Sequence, residues 1–108
     1  MIHQMHPNDL KAKLDAGEPV YLLDVRNENE RQFCAILPSA FIPLGELVHR
    51  VGEVEPPPNA AIVVYCHHGI RSLSGAAIVQ QAGHAGVFSL MGGIDAWSLV
   101  VDANVPRY

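Results

Sequence analysis

The stretch with the most chemical potential in this chain is a cysteine that closes an apolar run and is followed at once by a polar turn. Ala60-Ala61-Ile62-Val63-Val64-Tyr65 leads into Cys66, and His67-His68-Gly69-Ile70-Arg71 separates that thiol from Ser72 and an alanine-rich segment. A buried strand running into a helix leaves the turn at the strand's carboxyl end, where open α/β sheets place their ligands. The turn's N–H groups and the dipole of the next helix then favour negative charge. A thiol held there is placed to act as a thiolate nucleophile. A packing thiol is the competing role for Cys66, but the polar turn and the helix after it favour the nucleophile. Gly69 lets the backbone turn inward without a Cβ.

The residues around the cysteine have narrower roles. Arg71 offers a planar fixed charge, either to a substrate anion or to loop carbonyls, Asp24, Glu28 or Glu30. His67 and His68 can take up charge near neutral pH. They are adjacent, and no third ligand stands at useful spacing, so the sequence predicts rim residues rather than a metal site. No cofactor is expected. Asp24, the one carboxylate in its apolar run, needs a partner if buried, and with Arg26 it is assigned support behind the loop. Cys34 reads as a bystander, or as a resolving thiol if its loop lies close.

The elements that must position these groups can be read in order. A short extended piece precedes a helix over residues 7–16, with Pro7 and Asp9 in its first turn and Gly17 at its close. Val20-Tyr21-Leu22-Leu23-Asp24-Val25 is a continuous apolar run, a strand covered on both faces. A polar helix over residues 27–33 follows, then a loop with a short strand at Ala40-Phe41-Ile42. Leu44, Leu47, Val48 and Val51 space out a further helix ended by Gly52. Residues 53–59 form a stiff, exposed, proline-rich loop. After the cysteine turn come a helix from Ser72 to Ala82, a strand at Gly86-Val87-Phe88-Ser89-Leu90, and a last helix through Ile94, Trp97, Val100 and Val101. Alternating strands and helices predict an α/β fold with a largely parallel central sheet of about five strands and helices on both faces.

Composition narrows the function. The 108 residues suit one domain over 1–108, and 49% hydrophobic against 17% charged residues excludes a disordered chain. With a net charge of −4 and no basic cluster, nucleic acid is not an expected partner. No apolar run approaches a membrane span, and the first residues lack signal-peptide features. Two cysteines are too few for a disulfide framework, so the expected setting is the reducing cytoplasm. Between Pro56 and Ile94 there is no Asp, Glu or Lys, and Arg71 is the only fixed charge. That is what an anion-handling site would want, although a buried strand and helix show the same depletion.

Taken together, these motifs resemble the single-domain rhodaneses, a family of sulfurtransferases. Leu22-Leu23-Asp24-Val25-Arg26 followed by Glu30 is similar to the family's first motif. Residues 35–44, Ala-Ile-Leu-Pro-Ser-Ala-Phe-Ile-Pro-Leu, resemble its Gly-His-Ile-Pro-Gly-Ala…Ile-Pro segment, with Ala35-Ile36 in place of Gly-His and Ser39 in place of a glycine. Cys66 to Ser72 resembles the persulfide loop, and the strand with Gly92-Gly93 and Trp97 resembles the closing signature. The resemblance implies a rhodanese-like fold and a Cys66 persulfide that moves sulfane sulfur from a donor such as thiosulfate. The acceptor would be cyanide, a thiol or a protein. It also implies that N–H groups of residues 67–71 hold the sulfur and that Arg71 meets the donor's sulfonate or the loop carbonyls. Two other functions compete. One is a sulfur-carrier or protein-binding module without turnover. The other is a phosphatase or arsenate reductase, whose loop has five residues between Cys and Arg where this chain has four.

Overall fold

The computed structural model describes residues 1–108. Strands β1 (His3–Met5), β2 (Val20–Asp24), β3 (Ala40–Phe41), β4 (Ala61–Tyr65) and β5 (Val87–Leu90) form one sheet in the order β1-β5-β4-β2-β3. Every pairing is parallel. Helices α1 (Pro7–Asp15), α2 (Glu28–Phe33), α3 (Leu44–Arg50) and α4 (Arg71–Gln81) fill the crossovers, with a short 3-10 turn at Val51–Glu53, and α5 (Gly93–Val100) follows β5. The α/β architecture expected from the sequence is the one observed.

β4 sits between β2 and β5 and is buried on both faces, which is why its sequence is apolar without alternation. Successive side chains still point to opposite sides. Ile62, Val64 and Cys66 join Leu47, Ala76 and Val79 on one face, where α3 and α4 pack. Val63 and Tyr65 join Leu10, Ile94 and Trp97 on the other, where α1 and α5 pack. Cys66 therefore leaves the end of the strand pointing towards α4, the helix that its own turn begins.

Local signals set the helix ends. The His6 ring accepts the Asn8 N–H at 3.0 Å and Pro7 opens α1. Glu30 reaches back to the Asn27 N–H at 3.0 Å and fixes the start of α2. Two expectations shift. α4 begins at Arg71 rather than Ser72, so Arg71 belongs to the helix as well as to the turn. Residues 53–59 are not exposed throughout: Val54 is 3% exposed and packs with Leu47 and Val87, because an apolar side chain beside a core edge is drawn in. β3 pairs only with Leu23 and Asp24. A surface depression lined by Val20, Tyr21, Leu22, Pro38, Ser39 and Ala40 lies where it stops short, and it includes no residue of the cysteine turn.

Candidate active site

The cysteine turn stands at the carboxyl edge of the sheet, one residue beyond β4. Three hydrogen-bonding groups meet the Cys66 sulfur. The Gly69 N–H donates to Sγ at 3.1 Å and the Ser72 N–H at 3.3 Å, while the Ser72 hydroxyl lies 3.4 Å away. Behind Ser72, its Oγ is 2.7 Å from the Ser89 hydroxyl on β5. All of these groups are buried, and Cys66 itself is 1% exposed. The sulfur is therefore enclosed, with two N–H donors and a hydroxyl on one side and the apolar side chains packed under α3 and α4 on the other. The resemblance implies N–H groups from residues 67–71 at this sulfur. Of these, Gly69 reaches the sulfur; the other N–H comes from Ser72, because the first turn of α4 aims its free N–H groups back along the axis.

The turn owes this shape to α5. The Ile94 N–H donates to the Cys66 carbonyl at 2.9 Å and the Asp95 N–H to the His67 carbonyl at 3.1 Å. With those carbonyls drawn outward, the later N–H groups of the turn are left facing the sulfur. Gly93, at φ +64°, is needed for this approach: a Cβ there would run into the Cys66 and His67 carbonyl oxygens. Gly69, at φ +95°, similarly passes against the backbone of Leu90 and Gly92. The Gly92-Gly93 pair is thus part of the site's frame and more than a turn.

Arg71 is committed to a carboxylate. Its two terminal nitrogens reach Glu30 Oε1 at 2.7 Å and Oε2 at 2.9 Å. Of the partners left open by the sequence, the fold selects Glu30. The Arg71 guanidinium, helped by the Asn27 N–H and the Tyr108 hydroxyl, overcomes the effect of burial and holds Glu30 down to about 2. Glu30 in turn raises the pKa of Arg71.

Asp24 and Arg26, both fully buried, form a pair in which Asp24 accepts from the Arg26 N–H at 3.0 Å, Nε at 2.9 Å and Nη2 at 2.8 Å. Arg31 adds a contact to Asp24 at 3.3 Å and holds the Ser39 hydroxyl and carbonyl at 2.7 and 2.8 Å. Arg26 also donates to the Cys34 carbonyl at 2.6 Å. Burial alone would pull the Arg26 pKa down, but Asp24 and Tyr108 keep it raised. Neither side chain of the pair hydrogen-bonds to the turn. The connection runs through Tyr108, whose hydroxyl accepts from Arg26 Nη1 at 2.9 Å and donates to Glu30 Oε2 at 2.7 Å.

Tyr108 also covers the turn. Its ring stacks on His67 at a 3.8 Å centroid separation and 7° between planes, and His67 stacks on His68 at 3.8 Å. Burial, then the neighbouring His68, push the His67 pKa below its ordinary value, so His67 is neutral at neutral pH rather than a cation at the rim. Cys34 and Cys66 are both buried free thiols.

Three contributors escape a reading along the chain. Ser89 left a faint signal, a lone hydroxyl in an apolar strand that has to find a partner. Tyr108 and Asp95 left none, since they are far in sequence from everything they touch. The run between Pro56 and Ile94 is free of carboxylates, yet folding brings Glu30 onto Arg71 at 2.7 Å and Asp95 to within 4.0 Å of His68. The site is less positive than its own segment implies.

Comparison with known proteins agrees with this geometry. The family described as "Rhodanese-like domain" matches residues 6–99. A sulfurtransferase of Allochromatium vinosum is 31% identical over 98 residues, covering 91% of this chain and 90% of that protein. The maize adenylyltransferase and sulfurtransferase MOCS3-2 is 33% identical over 105 residues, which cover 93% of this chain but 22% of that protein. The first curated relatives are thus about four times longer than the part this chain spans. Among solved structures, a thiosulfate sulfurtransferase from Pseudomonas aeruginosa superposes with a TM-score of 0.81 at 29% identity, covering 98% of this chain and 20% of that one. No helix is long and apolar enough to cross a membrane. Motif order, sheet topology and sequence relatives converge, and the chain belongs to the rhodanese-like domain family.

Proposed function

We propose that this chain transfers sulfane sulfur through a persulfide on Cys66. The observation that carries the reading is the convergence of the Gly69 N–H, the Ser72 N–H and the Ser72 hydroxyl on Cys66 Sγ. Fixed dipoles aimed at one atom stabilise charge there without reorganising, as an oxyanion hole does for oxygen. Helix α4 adds its positive end, with no acidic residue in its first turn.

In the first half-reaction the Cys66 thiolate attacks the outer sulfur of a donor such as thiosulfate. A Cys66 S–S bond forms, the donor's S–S bond breaks, and sulfite leaves with the bonding pair. The negative charge now rests on the terminal sulfur of the persulfide. In the second half-reaction cyanide, a thiolate or a protein acceptor attacks that terminal sulfur, and the Cys66 thiolate departs. No general base is required, because the nucleophile enters and leaves as an anion. If the Ser89 hydroxyl donates to Ser72, Ser72 is free to donate to the sulfur.

Arg71 takes a different place from that in the resemblance. With both terminal nitrogens on Glu30, it braces the turn and the start of α4, and a sulfonate would have to compete with a carboxylate for it. The same commitment disfavours an aryl-phosphate or arsenate activity, which needs a free guanidinium over the nucleophile. It favours, as a second reading, a sulfur carried on Cys66 between proteins, since an enclosed sulfur and an occupied arginine suit a donor that brings its own contacts.

The test is the mass of the intact protein after incubation with thiosulfate, mercaptopyruvate or a persulfidated desulfurase. The expected result is the addition of one sulfur atom, absent in Cys66→Ser and removed by cyanide. Turnover with thiosulfate identifies the enzyme, and loading by the protein donor alone identifies the carrier. Absence of any loading, with hydrolysis of an aryl phosphate, would overturn both.

A further inference from the structure

We propose that His67, His68 and Asp95 form a binding site for a divalent transition-metal ion, with zinc as the ion its ligand chemistry suits best. A donor nitrogen or oxygen from each residue lies within 4.8 Å of the other two. The sequence offered two adjacent histidines and no third ligand; the third comes from α5, whose backbone is pinned to the turn by the Ile94 and Asp95 N–H groups. The site therefore has a fixed frame.

Two observations at the side chains point to a missing ligand. His67 Nε2 is buried and has no hydrogen-bond partner, and buried polar atoms without partners are rare enough to need a cause. His68 Nε2 stands 4.0 Å from Asp95 Oδ2, too far for a hydrogen bond. That spacing is close to the separation of two ligands across one ion. Bonds of roughly 2.0–2.2 Å to a tetrahedral zinc put neighbouring donors about 3.3–3.5 Å apart. An imidazole binds a metal in its ring plane, and His68 stacks on His67 at 3.8 Å with 30° between planes; being 60% exposed, it can swing out of that stack so that both rings aim a nitrogen at one ion.

The surroundings orient the donors as outer partners do in metal sites. Arg107 Nε holds Asp95 Oδ1 at 2.8 Å, while Nη2 reaches Oδ2 only at 3.4 Å, so Oδ2 keeps capacity for another partner. The Tyr108 ring fixes the plane of His67 from one side. Two imidazoles and a carboxylate select zinc and its neighbours over magnesium or calcium. Three protein ligands leave a coordination position open. An ion there would set positive charge at the rim of the cysteine turn. That consequence rests on the sulfur-transfer reading; the binding itself does not.

The experiment titrates the chelator-treated full chain with cobalt(II), followed by its visible absorption, and then with zinc to displace it. The expected result is one ion per chain at micromolar concentrations, with affinity falling about tenfold or more in His68→Ala and in Asp95→Asn, and retained in Cys66→Ser. Melting temperatures without metal show whether each variant is folded, and exposed His68 provides the variant least able to disturb the fold. Saturation only above millimolar metal would overturn the proposal. So would binding unchanged in both folded variants, or a sulfur-to-cobalt band that disappears in Cys66→Ser.

Discussion

Two buried polar regions stand at the same edge of the sheet and solve opposite problems. At the end of β2, Asp24 meets Arg26 and Arg31, one carboxylate held by two guanidinium groups within hydrogen-bond distance. At the end of β4, Cys66 meets two N–H groups and a hydroxyl, and no carboxylate or guanidinium touches the sulfur. In the first region every nitrogen of the Arg26 side chain and both Asp24 oxygens are already bonded. The second sets two N–H donors and a hydroxyl around one atom, an arrangement suited to negative charge. Rigidity and reactivity thus sit at the ends of neighbouring strands, and Glu30 with Tyr108 joins them.

The comparison breaks most visibly if a charge is removed from the first region. Asp24→Ala leaves the buried Arg26 without its partner and should destabilise the protein by about 3–5 kcal/mol, read from a urea midpoint. A loss below about 1 kcal/mol would mean that the pair is not the support described. Gly93→Ala tests the second region. A Cβ in a left-handed conformation against two carbonyls should cost about 2–3 kcal/mol and slow sulfur loading of Cys66 beyond what the lost stability explains. Loading at the wild-type rate would show that the contact from α5 does not shape the turn.

The smallest effect sharpens the link between the regions. Glu30 is held down to about 2, below the ordinary carboxylate value, by Arg71 first. A lowered folded-state value stabilises the protein above the unfolded value and loses that contribution as pH falls towards the folded one. Wild type should therefore exceed Glu30→Gln by about 1–2 kcal/mol at pH 7, after allowance for solvent screening. The difference should shrink as pH falls from about 4.5 towards 2. Equal shrinkage on raising the pH instead would assign the effect to another group.

Much of this was legible in the chain. Apolar β4 and the turn after it are local patterns, and Cys66 emerged where expected. That Asp24 needed a buried partner followed from its lone charge, and Arg26 supplied it two residues away. The choice among Asp24, Glu28 and Glu30 for Arg71 was not legible, because it depends on which face of α2 meets the turn. The absence of carboxylates between residues 57 and 93 misled for the same reason, since Glu30 and Asp95 approach through space.

By itself, then, the order of residues determined the strands, the helices and a cysteine at a strand end, since periodicity and turn chemistry act between near neighbours. Only the tertiary structure decided that Arg71 braces Glu30, that Tyr108 covers His67 and that Asp95 joins the two histidines. Those contacts are made by residues 27 to 41 positions apart, through side chains whose direction packing alone sets.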